Sequence, residues 1–148
     1  HFTVRKSLSL PAREVFDELV DWRGHAEWVP MTRVVIESGD GGVGTTFVAT
    51  TGLGPLALPD RMRVDELDSD GMRVRIVKIG PVLTGDVDLE VTQTGPSSCD
   101  LLWDEDVQVP VLPQFLAAPV GAVARIALGV SIDAMAKRVR RRMPARAA

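Results

Sequence analysis

Three ionisable side chains fall where strand alternation would aim them at an apolar interior. Between Ser98 and Val109, Leu101, Trp103, Val107 and Val109 alternate with Asp100, Asp104 and Asp106, and Glu105 falls in step with the apolar set. A carboxylate carried into such an interior is desolvated, which disfavours its charged form and yields a poised acid or base. Asp60, in step with Leu58, Met62 and Val64, is a second such carboxylate, and Lys78, in step with Val74 and Ile76, would supply the opposite charge. The competing reading is a bulge that flips the register, or charges held at the mouth of a cavity. Glu105 and Asp60 are therefore the candidate catalytic residues. The chain has no Tyr, and neither His1 nor His25 lies in a strand predicted to line the interior, so acid–base chemistry would rest on carboxylates, Lys, Arg or water.

Other chemistries find less support. Gly39-Asp-Gly-Gly-Val-Gly44 spells the glycine pattern of dinucleotide-binding proteins, but that site needs a helix directly after it, whose free amides receive the pyrophosphate. Thr45, Thr46, Phe47 and Val48 follow instead, which is strand-like, so the glycines read as a hairpin turn. One cysteine, Cys99, excludes an internal disulfide and, with His1 and His25, cannot build a cysteine/histidine zinc cage. No metal or cofactor is expected, and no serine or cysteine nucleophile has a supporting base. Lys137, Arg138, Arg140, Arg141, Arg142 and Arg146 gather positive charge at the C-terminus of an otherwise acidic chain. Cations there favour a helix dipole; contact with phosphate on lipid or RNA is the sharper alternative, and no nucleic-acid partner is expected.

These groups must be positioned by a chain of 148 residues with 45% apolar content, 25% charged content and net charge -3, the profile of one globular domain. No apolar run long enough for a membrane span is expected, and no leader, so the default location is the cytoplasm. The chain opens on His1, from which a start inside a longer natural chain is expected.

Phe2 to Leu10 alternates as a strand and is stopped by Pro11; Ala12, Val15, Phe16, Leu19 and Val20 then recur at helical spacing, with Arg13, Glu14, Asp17 and Glu18 outside. Asp21 to Trp28 predicts a second short helix. Six strands follow, near 33–38, 45–51, 58–67, 72–79, 85–94 and 98–109, joined by short turns that favour antiparallel pairing. Asp86, Asp88 and Glu90 oppose Val87, Leu89 and Val91, so one face of the sheet is wet and the other needs a cover. The cover is the stretch from Gln114 to Met143, a helix starting at Pro113 or Pro119. On a helical wheel Leu116, Val120, Val123, Ala124, Ala127, Ser131 and Ala134 share one side, with Arg125, Asp133, Lys137 and Arg140 towards the other. Small residues in the middle of that side mean either close packing on the sheet or a gap beneath the helix.

This order, strand, two short helices, six strands and one long helix, is that of the helix-grip fold. Leu10-Pro-Ala-Arg-Glu-Val-Phe-Asp-Glu-Leu-Val-Asp21, Trp28-Val-Pro30, the turn ending Val43-Gly44-Thr45, and Ser131-Ile-Asp-Ala-Met-Ala-Lys-Arg-Val139 resemble polyketide cyclase/dehydrase-like proteins of the START-related (SRPBCC) superfamily. The resemblance implies an α+β fold, a seven-stranded antiparallel curved sheet wrapped around the C-terminal helix, with a cavity between them for an apolar small molecule. Members of that superfamily include lipid and polyketide binders, aromatase/cyclases, quinone-binding proteins and chaperone activators, so the fold does not select a function.

A cavity so placed would be lined from the helix by Leu116, Val120, Val123, Ala124 and Ala127. The sheet would add Phe47, Leu58, Asp60, Met62, Val74, Ile76, Leu89, Leu101, Trp103 and Glu105, with Trp22 and Trp28 near its entrance. The expected function is binding or carriage of a hydrophobic lipid, polyketide or aromatic molecule. An aromatase/cyclase-type enzyme using cavity carboxylates is the alternative, and a partner-binding or stress-related protein the third.

Overall fold

A computed structural model describes residues 1–110 and 112–147, the side chains of 117 and 144–147 excepted, so the side chain of Arg146 lies outside the description. Strand β1 (Phe2–Leu8) leads through Pro11 into helix α1 (Ala12–Leu19) and a 3-10 turn (Arg23–Glu27). Strands β2 (Thr32–Ser38), β3 (Thr46–Thr51), β4 (Leu58–Asp68), β5 (Arg73–Ile79), β6 (Thr84–Gly95) and β7 (Ser98–Gln108) follow, and helix α2 (Ala117–Ala147) closes the chain. Pro119 sits in the first turn of α2, where a missing amide hydrogen costs no helical bond.

The strands form one antiparallel seven-stranded sheet in the order β1-β7-β6-β5-β4-β3-β2. It curves round α2, as the helix-grip order implies. The glycine segment turns β2 into β3; a side chain at Gly39, where φ is +98°, would meet the Thr45 backbone at 2.6 Å. Outward residues form a wet face of cross-strand ion pairs, among them Arg75–Asp88 at 2.9 Å, Arg73–Glu90 at 3.4 Å and Arg61–Glu37 at 2.6 Å.

The inner face has two ends. Pairing sets Leu8 opposite Cys99, Val91 opposite Leu101 and Val74 opposite Leu89, and these buried residues lie at the end covered by α1 and the C-terminal half of α2. Val15, Phe16 and Leu19 of α1 and Ile132, Met135, Ala136 and Val139 of α2 complete that core. At the other end Phe2 pairs with Glu105, Glu105 with Val87, and Met62 with Lys78.

Three expectations need correction. Glu18, placed outside by the wheel, is only 3% exposed. Its carboxylate accepts from Arg138 at 2.8 Å and Arg142 at 2.6 Å, one turn apart on α2, which offsets the penalty of burying the charge. Part of the basic C-terminus is thus a clasp between α1 and α2, while Lys137, Arg140 and Arg141 are exposed. Second, the buried side of α2 is Ser131, Ile132, Met135, Ala136 and Val139, whereas Leu116, Val120 and Val123 are exposed. A wheel finds a side but not how far along it the partner reaches. Third, the stretch Gln114–Met143 is apolar enough for a membrane span by length and composition, with mean hydropathy 1.8 over its best 18 residues. Between Gln114 and Ile132 the only charge is Arg125, and abundant Ala and Gly disguise the run. Only 12% of that window is buried, so the apolar run is largely exposed, and it is the C-terminal half of α2, with Ile132, Met135 and Val139, that packs into the core.

Candidate functional site

Between the sheet and the middle of α2 lies a cavity of about 300 Å³. Ala124, Ala127, Leu128 and Ser131 form its helix wall. Small side chains there hold the helix off without filling the space beneath, so the gap reading of the small residues holds. Ser131 turns its hydroxyl back to the Ala127 carbonyl, at 2.9 Å, and so adds no free donor. Opposite stand Phe47, Ala49 and Thr51 of β3, Met62 of β4, Ile76 of β5, Val87 of β6 and Trp103 of β7, with Phe2 at the β1 edge. A larger depression of about 500 Å³ lies on the outer face among Glu66, Arg73, Arg75, Asp88 and Glu90. Arg73 pairs there with Glu90 and Arg75 with Asp88 in the open, whereas the inner cavity is walled mainly by apolar side chains.

The three ionisable residues meet inside that cavity. No register shift intervenes between Asp60 and Val64 or between Val87 and Glu105, so the carboxylates keep the inward parity their spacing predicts. Lys78 Nζ donates to Asp60 Oδ2, lies 3.5 Å from Glu105 Oε1 and 3.9 Å from Met62 Sδ. Trp103 Nε1 donates to Glu105 Oε2 at 3.0 Å. The side chain of Lys78 is 7% exposed and those of its two carboxylate partners 15% each. Desolvation alone would push the Lys78 ammonium pKa down, but the charges of Glu105 and Asp60 outweigh it, and the net shift is upward. The lysine is a fixed cation here and a poor amine nucleophile.

Two buried polar atoms have no hydrogen-bond partner among the described residues, Asp60 Oδ1 and Trp28 Nε1. Both residues line the cavity.

The 3-10 turn adds a wall that strand reasoning missed. Its period of three brings Trp22, His25 and Trp28 to one side, with ring centroids 5.7 Å apart for Trp22–His25 and 4.6 Å for His25–Trp28. His25 lines the cavity, contrary to the expectation that acid–base chemistry would have no imidazole to draw on. Its Nε2–H donates to the Leu19 carbonyl at 2.7 Å, and burial pushes its pKa down, with the Leu19 carbonyl and Asp21 acting weakly the other way. It is held neutral. Trp22 instead stacks on Phe47 at 5.0 Å and donates to the Gly41 carbonyl at 2.8 Å, which fixes the turn against β3.

Of the residues picked from the sequence, the cavity gathers Trp28, Phe47, Asp60, Met62, Ile76, Trp103, Glu105, Ala124 and Ala127. Val74, Leu89 and Leu101 face inward but are packed in the core at the far end of their strands. Leu58 is exposed at the start of β4, Leu116 is exposed in a 3-10 turn just before α2, and Val120 and Val123 are exposed on α2. No group of His, Cys, Asp and Glu that could hold a metal occurs among the described residues.

The family described as polyketide cyclase / dehydrase and lipid transport matches residues 1–144. No curated protein matches the chain in sequence. Among solved structures, the Zhui aromatase/cyclase from Streptomyces sp. R1128 superposes with a TM-score of 0.81 at 15% identity, over 96% of this chain and 94% of that one. Norcoclaurine synthase from Thalictrum flavum superposes with a TM-score of 0.74 at 18% identity, over 96% and 94%. The di-domain aromatase/cyclase StfQ from the steffimycin biosynthetic pathway gives 0.77 at 12% identity, over 99% of this chain and 47% of its own. At such identities these likenesses establish the fold alone. The chain belongs to the polyketide cyclase / dehydrase and lipid transport family, within the START-related superfamily.

Proposed function

We propose that this member of the polyketide cyclase / dehydrase and lipid transport family binds and carries a hydrophobic small molecule, aromatic or polyketide-like, between the sheet and α2. The observation that carries the reading is the apolar cavity of about 300 Å³, at the lower end of the sizes used for small ligands. Trp28, Phe47 and Trp103 give it flat aromatic walls suited to ring systems. The norcoclaurine synthase structure determined with dopamine and hydroxybenzaldehyde has the same fold around aromatic guests. Native mass spectrometry of the protein isolated from its own host is the test. A co-purified compound of definite mass, displaced by added fused-ring aromatics, is expected. A ligand-free protein that takes up no member of such a panel contradicts the reading.

A second reading is favoured by one observation, the Asp60 oxygen that lies buried without a partner in the cavity wall. In it the protein is an aromatase/cyclase-type enzyme, with Asp60 or Glu105 moving protons on a bound polyketone. Asp60→Asn and Glu105→Gln then abolish turnover of a poly-β-ketone while circular dichroism stays native. Unchanged turnover in both variants removes these roles.

A further inference from the structure

One row of α2 changes character half-way along. Pro119, Val123, Ile126, Val130, Asp133, Lys137 and Arg140 follow one another at steps of three and four, so they share one side of the helix, and all are exposed. From Asp133 onward that side is charged, with Arg141 beside Lys137 and Arg140, as a solvated helix surface requires. Before Asp133 it is apolar, and Val123, Ile126 and Val130 are 67%, 69% and 55% exposed. Phe115, Leu116 and Val120 are exposed nearby, and Arg125, the only charge between Gln114 and Ile132, points well away from the row. Single exposed apolar side chains are ordinary. A contiguous set of them that continues a charged row marks a surface that another phase or molecule covers.

The chemistry along the row says what covers it. Ala124, Ala127 and Leu128 of the same segment wall the cavity, so this half of α2 cannot cross a bilayer without leaving the sheet, but it can lie along one. Beyond the apolar part stand three exposed cations, Lys137, Arg140 and Arg141, whereas Arg138 and Arg142 are committed to Glu18. Apolar side chains followed on the same side by cations match acyl chains beneath anionic headgroups. A second copy matches less well. Laid parallel it sets cation against cation, and laid antiparallel it offers no acid, because Asp133, the only acid of α2, pairs with Lys6 at 3.1 Å. We propose that α2 docks the protein on an anionic lipid surface, with Val123, Ile126 and Val130 entering the acyl boundary and Lys137, Arg140 and Arg141 meeting the headgroup phosphates. The docking surface is separate from the cavity's cargo and works with the cavity empty or filled.

The test is flotation of the full chain with two kinds of vesicle, phosphatidylcholine alone and phosphatidylcholine with three tenths phosphatidylserine. Binding to the anionic vesicles is expected to be about tenfold or more tighter than to the neutral ones, and to weaken in 0.5 M salt. Val123→Ser combined with Ile126→Ser alters exposed positions only, so melting stays native while affinity for both vesicles falls about tenfold or more. Lys137→Gln, Arg140→Gln and Arg141→Gln together bring anionic-vesicle binding down to the neutral-vesicle level. Analytical ultracentrifugation without lipid is expected to show a monomer. Failure to bind either vesicle, or serine variants that bind as the parent does, overturns the proposal; a dimer that the serine variants dissolve, with no vesicle binding, shows that a second copy covers the row. The cargo reading stands or falls separately, on the co-purified compound.

Discussion

Replacement of Lys78 by methionine keeps most of the side chain's volume and removes its charge. What remains is a pair of largely buried carboxylates, each 15% exposed, facing one another across the space the ammonium bridged. Removing one partner from a buried ion pair destabilises by ~3–5 kcal/mol, because the surviving charge has neither water nor counterion. Against a total stability of about 5–15 kcal/mol that is a large fraction, equivalent to roughly 10 °C of melting temperature in a domain of this size. Urea unfolding followed by circular dichroism reads it as a lower midpoint at unchanged slope. The combined Asp60→Asn, Lys78→Met, Glu105→Gln variant recovers most of the loss, since no charge is left buried. The sign of the titration gives an independent check. The folded Lys78 pKa lies above the usual 10.5, so its stabilisation is present at neutral pH and disappears as pH rises through the folded value. The unaltered protein loses stability in that alkaline range through a term that Lys78→Met lacks. A Lys78→Met protein within about 0.5 kcal/mol of the parent would refute the reasoning, because it would mean that water screens the cluster.

His25, held below its usual 6.5, makes stability fall as pH drops beneath 6.5, because the unfolded chain takes up the proton first. The slope approaches ~1.4 kcal/mol per pH unit, and His25→Gln flattens it in urea titrations across that window; an unchanged slope points to another group. Ala124→Leu pushes a larger side chain into the cavity from a partly exposed helical site. It lowers ligand affinity about tenfold or more, while melting shifts little, since the site is not core. Cys99 is fully buried, and burial, with Asp100 adding to it, pushes its thiol pKa up. A thiol reagent therefore modifies the chain only on denaturation, and rapid native-state reaction shows the core end to be open.

Strand alternation was enough to bring Asp60, Lys78 and Glu105 together, because parity survives wherever no bulge intervenes. It was not enough for Val74, Leu89 and Leu101. Parity assigns a face but no position along the strand, and these three are packed in the buried core. Leu116, Val120 and Val123 fail in the same manner on the helix: the wheel assigns a side, while coverage depends on where the sheet ends. His25 escaped because it comes from a turn, yet its spacing of three from Trp22 and from Trp28 is the 3-10 period and was there to be read. Glu18 escaped because burial of an acid is decided by its partners, and Arg138 and Arg142 stand more than a hundred residues away.

The separation of the inner face into a packed end and a hollow one bears on how such a protein changes over generations. Apolar wall positions such as Ala49, Ala124 and Leu128 lie outside the fully buried core, so lineages can drift there and try new guests while the scaffold persists. The charged trio cannot drift in that way. Any one of its members, altered alone, strands the others, so a change of cargo polarity requires concerted replacement or passage through a crippled intermediate. Shape preference is thus the readily mutable trait, and polarity the inherited one.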